Sequence, residues 1–360
     1  MNEDLNKGIE FHRNGELDKA EKIYLAHLEI KKKDPSLLQL LGTIYLQKNN
    51  YKLAEKYFLE SLVLQPENPG TLNNLGILKK KTDNIEKSLE YFEINIEKNN
   101  FLNSWVNKSN ILIETNKNLD GLKFTEVALK KYPKDKKLKN NFAIFLFKCG
   151  FQKEALNIYK EFDDLNLHFK DSYLNYSNLL IEINNLPKAL EIINKFILQN
   201  SNNLEALRQR ALICKLLFDF KKSEEDLLDT IKIDKFNIIS NQMIVKLYID
   251  IKKYEEAIKY CDLMLREEKD VNFFLTKKIF CKINIGSWID LENDLKIFNN
   301  NLKYNQSSIN PLSLKYINDD PFFQKNFTEN YWLDKPLNQF LWSHRRGPKP
   351  NQHTSHHVHK

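Results

Sequence analysis

The sequence predicts an all-α chain, an α-α superhelix of about nine helix-turn-helix units of 34 residues each. Three observations predict it. Small side chains recur at two fixed places of a 34-residue frame, a bulky apolar residue follows the second of them four places on, and Gly, Asn or Asp recurs at the intervening turn. Glycine (9) and proline (10) are scarce, so helices can run without interruption.

The frame starts at Met1 and loses one residue near Leu102, giving units 1–34, 35–68, 69–101, 102–135, 136–169, 170–203, 204–237, 238–271 and 272–305. Place twenty reads Ala20, Ala54, Ser88, Gly121, Ala155, Ala189, Ser223, Ala257 and Leu291. Place eight reads Gly8, Gly42, Gly76, Ser109, Ala143, Ser177, Ala211, Val245 and Ile279. Two antiparallel helices approach closely only where small residues face each other, and ridge-into-groove packing then sets their crossing. One turn after place twenty come Tyr24, Phe58, Phe92, Thr125, Tyr159, Ile193, Leu227, Cys261 and Leu295, placed to fill the space beside that contact. Place fifteen is Gly15, Asn49, Asp83, Asn116, Gly150, Asn184 and Gly286 in seven units, residue types that accept a left-handed turn.

This pattern resembles the tetratricopeptide repeat family. Its signature has Leu-Gly at places seven and eight, aromatics at eleven and twenty-four, Ala at twenty and twenty-seven, and Pro near thirty-two. The second unit matches best, through Leu41-Gly42, Tyr45, Ala54, Phe58 and Pro66, and the fourth contributes Trp105, Ala128 and Pro133. Val245, Ile279 and Leu291 mark the last two units as degenerate. The resemblance covers about residues 1–305 and implies stacked units that share one core. It also implies a groove, lined by the first helix of each unit, that takes extended peptides or partner helices.

Place six lies on that first helix and reads Asn6, Leu40, Asn74, Asn107, Asn141, Asn175, Gln209, Met243 and Lys277. An amide offers an acceptor and two donors, enough to pair with a passing peptide backbone. Rungs about 10 Å apart would meet an extended strand, at about 3.3 Å per residue, near every third residue. Asn6, Asn74, Asn107, Asn141, Asn175 and Gln209 are therefore the expected peptide-binding residues. The chain holds 44 Asn, so composition is an alternative source for such a column. An inner-wall Asn ladder at this place is also a feature of the superhelical arm of O-linked N-acetylglucosamine transferases, which this chain resembles.

After the repeats, residues 306–334 are expected to form a capping or junction helix. Asp319-Asp320-Pro321 supplies a helix start, and Phe322, Phe323, Phe327 and Tyr331 an apolar face for the ninth unit. Pro311, Leu312, Leu314, Asp319, Asp320, Pro321 and Gln324 also stand where bacterial proteins of that transferase type join repeats to catalyst. Nothing in residues 332–360 resembles the catalytic fold. That resemblance implies a client-recruiting arm separated from its catalytic half.

Residues 335–360 form a basic, His-rich tail with His344, His353, His356, His357 and His359, expected to be disordered. A metal-binding cluster, a basic arm for the DNA minor groove, and a truncated or frame-shifted end are the other readings of its composition.

The remaining expectations are exclusions. No phosphate loop, nucleophile elbow, HExxH or CxxC pair is present, so no enzyme activity or cofactor is expected on this chain. The net charge of +7 is spread along the sequence, which argues against nucleic acid as the partner. Cys149, Cys214, Cys261 and Cys281 form no paired motif and read as core residues in a reducing compartment. With no signal-like start and no membrane-length apolar run, the expected location is cytoplasmic. The expected partners are protein or peptide clients, with no small-molecule substrate and no membrane.

Overall fold

A computed structural model describes residues 2–302 of the protein. The expected capping helix over residues 306–334 and the tail over 335–360 lie outside the described residues. Among the described residues there are 18 helices and no strand, as the 34-residue pattern predicts. The chain divides into two compact units at Leu179 and Leu180.

The first unit contains α1 (Asn2–Arg13), α2 (Leu17–Ile30), α3 (Pro35–Gln47), α4 (Tyr51–Leu64), α5 (Pro69–Lys81), α6 (Ile85–Asn99), α7 (Leu102–Glu114), α8 (Asn118–Lys131), α9 (Lys136–Lys148) and α10 (Gln152–Asp164). Helix α11 (Lys170–Glu182) carries the division point. The second unit contains α12 (Leu186–Gln199), α13 (Leu204–Leu216), α14 (Phe220–Ile233), α15 (Ile238–Asp250), α16 (Tyr254–Arg266), α17 (Val271–Asn284) and α18 (Leu291–Leu302).

Each turn between paired helices is closed by a residue in the left-handed region, and all seven predicted at place fifteen are there, from Gly15 (φ 79°) to Gly286 (φ 66°). The same place in the two remaining repeats is held by Phe218 (φ 63°) and Lys252 (φ 60°). Their side chains do not favour this conformation, which costs a non-glycine residue about 1–2 kcal/mol. Repeat geometry overrides local preference there.

The small residues do what close packing requires. A Cβ on Gly42 would sit 2.5 Å from the Phe58 ring, and one on Gly76 would fall inside the envelope of Phe92. Place eight of a unit is thus the floor on which the aromatic at place twenty-four lies. Where place twenty is Ser rather than Ala, the hydroxyl is satisfied internally. Ser88 Oγ donates to the Gly76 carbonyl at 2.7 Å, and Ser223 Oγ to that of Ala211 at 2.8 Å. In the last repeat the large pair Ile279 and Leu291 replaces the small contact, packing with Leu275 and Phe298 in an apolar cluster.

Helix starts use a further set of asparagines. Asn50, Asn68, Asn84, Asn185, Asn203 and Asn237 each accept from a backbone N–H of the first turn, as do Asp34, Asp135, Asp219 and Asp270. The second unit also contains buried ion pairs. Arg210 meets Asp226 through two bonds of 2.8 and 2.7 Å, and Asp294 receives both Lys278 (3.1 Å) and Lys282 (2.5 Å). Cys214, Cys261 and Cys281 are buried free thiols, and Cys149 is half-buried.

Candidate peptide-binding face

First helices pack on first helices. In the first unit α3 contacts α5, α5 contacts α7 and α7 contacts α9. In the second, α13 contacts α15 and α15 contacts α17. No pair of second helices among the described residues comes as close. Within each unit the first-helix side is therefore the shorter arc, the side on which place six lies.

Four of the predicted asparagines form a chain of bonds along that side, each donating to the preceding repeat. Asn74 Nδ2 donates to Thr43 Oγ1 at 3.0 Å. Asn107 Nδ2 donates to Asn73 Oδ1 at 2.9 Å. Asn141 Nδ2 donates to Ser109 Oγ at 2.7 Å and to Asn110 Oδ1 at 2.6 Å. Asn175 Nδ2 donates to Asn140 Oδ1 at 3.3 Å. Asn141 is buried and its Oδ1 also accepts from Asn140 at 3.3 Å. Asn74, Asn107 and Asn175 are half-buried, and their Oδ1 atoms accept no bond among the described residues. Asn6 is exposed on α1. Gln209 is buried on α13 in the second unit.

The structure adds partners that the column alone did not reveal, namely Thr43, Asn73, Asn110 and Asn140. The sequence signal for two of them is the doubled amide at places five and six, Asn73-Asn74 and Asn140-Asn141. Asn73 Oδ1 also accepts from Ser104 Oγ at 3.4 Å, and Asn140 Oδ1 from the Tyr159 hydroxyl at 3.1 Å. Burial raises the pKa of that phenol, which keeps it a donor.

The second unit presents a different surface. On α15, Ile239, Met243 and Lys246 follow one another at helical spacing, and on α13 Leu212 and Leu216 do the same. Two ammonium groups lie over the ring of Phe273 on α17, Lys246 Nζ at 5.3 Å and Lys277 Nζ at 5.9 Å from its centroid.

A tetratricopeptide repeat sequence pattern matches residues 35–68. No curated protein matches the sequence. In fold, the chain is similar to a tetratricopeptide repeat protein from Parabacteroides merdae, at TM-score 0.56 and 17% identity, over 69% of this chain and 98% of that one. It is also similar to a chain of the APC/C hetero-tetramer Cut9–Hcn1, at TM-score 0.56 and 13% identity, over 67% of this chain and 48% of that one. The chain thus shares the helical-repeat fold of tetratricopeptide-repeat proteins, and residues 35–68 match the tetratricopeptide repeat itself.

Proposed function

We propose that the protein is an interaction scaffold that holds extended peptide segments of its clients against the first-helix side of the first unit. The observation that carries this reading is the column of Asn74, Asn107 and Asn175. Each spends one amide N–H on the preceding repeat and keeps its Oδ1 without a partner among the described residues. A bond to the neighbouring repeat fixes the amide's rotamer before any ligand arrives, so less side-chain entropy is lost on binding. The remaining carbonyl and N–H match the donors and acceptors of a peptide backbone, which every client supplies. Asn141, engaged at both ends of its amide, positions Asn110 and Asn140 beside the groove. Asn6, exposed on α1, is a further contact on the first unit, and Gln209 is a separate contact on the first-helix side of the second.

A client grip of this kind needs no catalytic group on the chain. The proposal includes a cytoplasmic, reducing location, supported by three thiols buried in the core without partners. The reading as the arm of an O-linked glycosyltransferase has no support in the described residues beyond the same column, and we do not advance it.

The test is capture from cell extract by the wild-type chain and by the triple variant N74A/N107A/N175A. The expected result is unchanged helical circular dichroism with loss of most captured proteins. Capture of the same set by both proteins would overturn the reading.

A further inference from the structure

We propose that Lys246, Phe273 and Lys277 form a docking point for an acidic peptide segment. A Glu or Asp carboxylate would sit between the two ammonium groups, and a neighbouring aliphatic side chain would lie along Phe273 and Met243. The inference rests on the scaffold reading and names the chemistry of a client on the second unit.

The first argument is charge without a partner. Lys278 and Lys282, on the same helix as Lys277, are neutralised by Asp262 and Asp294. Lys246 and Lys277 form no ion pair with any carboxylate among the described residues, although the chain is rich in acids. The acid of α15 that acts on Lys277 is Asp250, which is itself bound to Lys215 at 2.5 Å. Two like charges are therefore held around one ring, and the ring face offsets only part of the cost.

Burial strengthens the case. Lys277 is half-buried, and its pKa is lowered by desolvation first and by the charge of Lys246 second. A carboxylate arriving there would relieve both effects, because an opposite charge favours the protonated amine. Lys246 is exposed, so the pair is accessible from solvent.

The surroundings select the kind of anion. Ile239 is 53% exposed, Met243 and Phe273 both pack against the same buried cluster, and Leu212 and Leu216 are exposed on α13. An aliphatic wall beside two cations suits a peptide in which acidic and branched residues alternate. A nucleic acid strand would need more phosphate partners and would meet Asp250.

The experiment is selection of random ten-residue displayed peptides on the full chain and on two variants, K246M/K277M and K246E/K277E. Methionine keeps the apolar stem, and thermal unfolding of each variant confirms that the fold survives. Binding of a labelled dT20 oligonucleotide is measured in parallel. Wild type should enrich Asp and Glu beside Leu, Ile or Val. Selected peptides should bind K246M/K277M about tenfold more weakly, as expected on losing a charge-assisted contact. K246E/K277E should enrich Lys and Arg instead. Peptides selected without acidic bias, or bound equally by wild type and K246M/K277M, would overturn this site and leave the scaffold reading standing. Lysine-dependent dT20 binding without acidic peptides would also overturn it. No peptide enriched by any of the three proteins would overturn the scaffold reading together with this site.

Discussion

Asn107 Nδ2 donates to Asn73 Oδ1 at 2.9 Å across a separation of 34 residues, one repeat length. The bond joins α7 to α5 and makes the ladder a set of inter-repeat ties as well as a binding surface. Replacing Asn107 by Ala removes a neutral hydrogen bond worth about 1 kcal/mol, but Asn73 Oδ1 keeps Ser104 as a donor. The expected outcome is a loss of about 1 kcal/mol in urea unfolding. Asn107→Asp should cost more, because a carboxylate would face the Asn73 carbonyl in place of a donor.

The glycine floors are predicted to be intolerant of a single methyl. Gly76→Ala should destabilise by about 1–3 kcal/mol, since the new Cβ would overlap the Phe92 ring, itself fully buried. The paired change G76A/F92L should recover part of that loss, measured as the midpoint of thermal unfolding. An equal loss in both proteins would show that another contact limits the site.

Phe218 offers a gain. It holds φ 63° and is 79% exposed, so its side chain contributes little packing to offset the conformational cost. Phe218→Gly is expected to stabilise the protein by about 1 kcal/mol in chemical denaturation. Lys252→Gly, at the equivalent turn, should act in the same direction.

Breaking the buried pair at Arg210 should be far more costly than breaking a surface pair. The Asp226 side chain is fully buried and receives two guanidinium bonds, with Lys222 at 3.3 Å. Arg210→Met would leave that carboxylate with Lys222 alone, and the expected loss is about 3–5 kcal/mol. Removing both charges with R210M/D226L should be much milder. Equilibrium unfolding of the two variants checks this.

Thiol reactivity should separate the cysteines. Burial pushes Cys214 up to about 11 and Cys281 up to about 12, and raises Cys261 well above the ordinary thiol. Thiolate is the reactive form, so these three should stay unmodified at pH 8 in the folded chain. Half-buried Cys149, whose pKa is also raised, should react first, and denaturant should release the other three. A count of modified thiols over time gives the result.

The sequence by itself determined the repeat, because steric demands at places eight, fifteen, twenty and twenty-four are local and recur in the same register. Gly42 under Phe58 and Asn49 at φ 58° could be read from single residues at their places. Only the tertiary structure decided what the asparagines do, because the same amide can cap a helix, tie two repeats or face a ligand. Asn68 caps α5, Asn107 bonds Asn73 and Asn141 is closed at both ends, yet nothing in the residue type separates them. Tertiary packing also decided that Phe218 and Lys252 would take left-handed turns, since the stacking of neighbouring helices outweighs a cost of about 1–2 kcal/mol. It likewise brought Lys246 and Lys277 to one ring, a proximity between different repeats that no local pattern encodes.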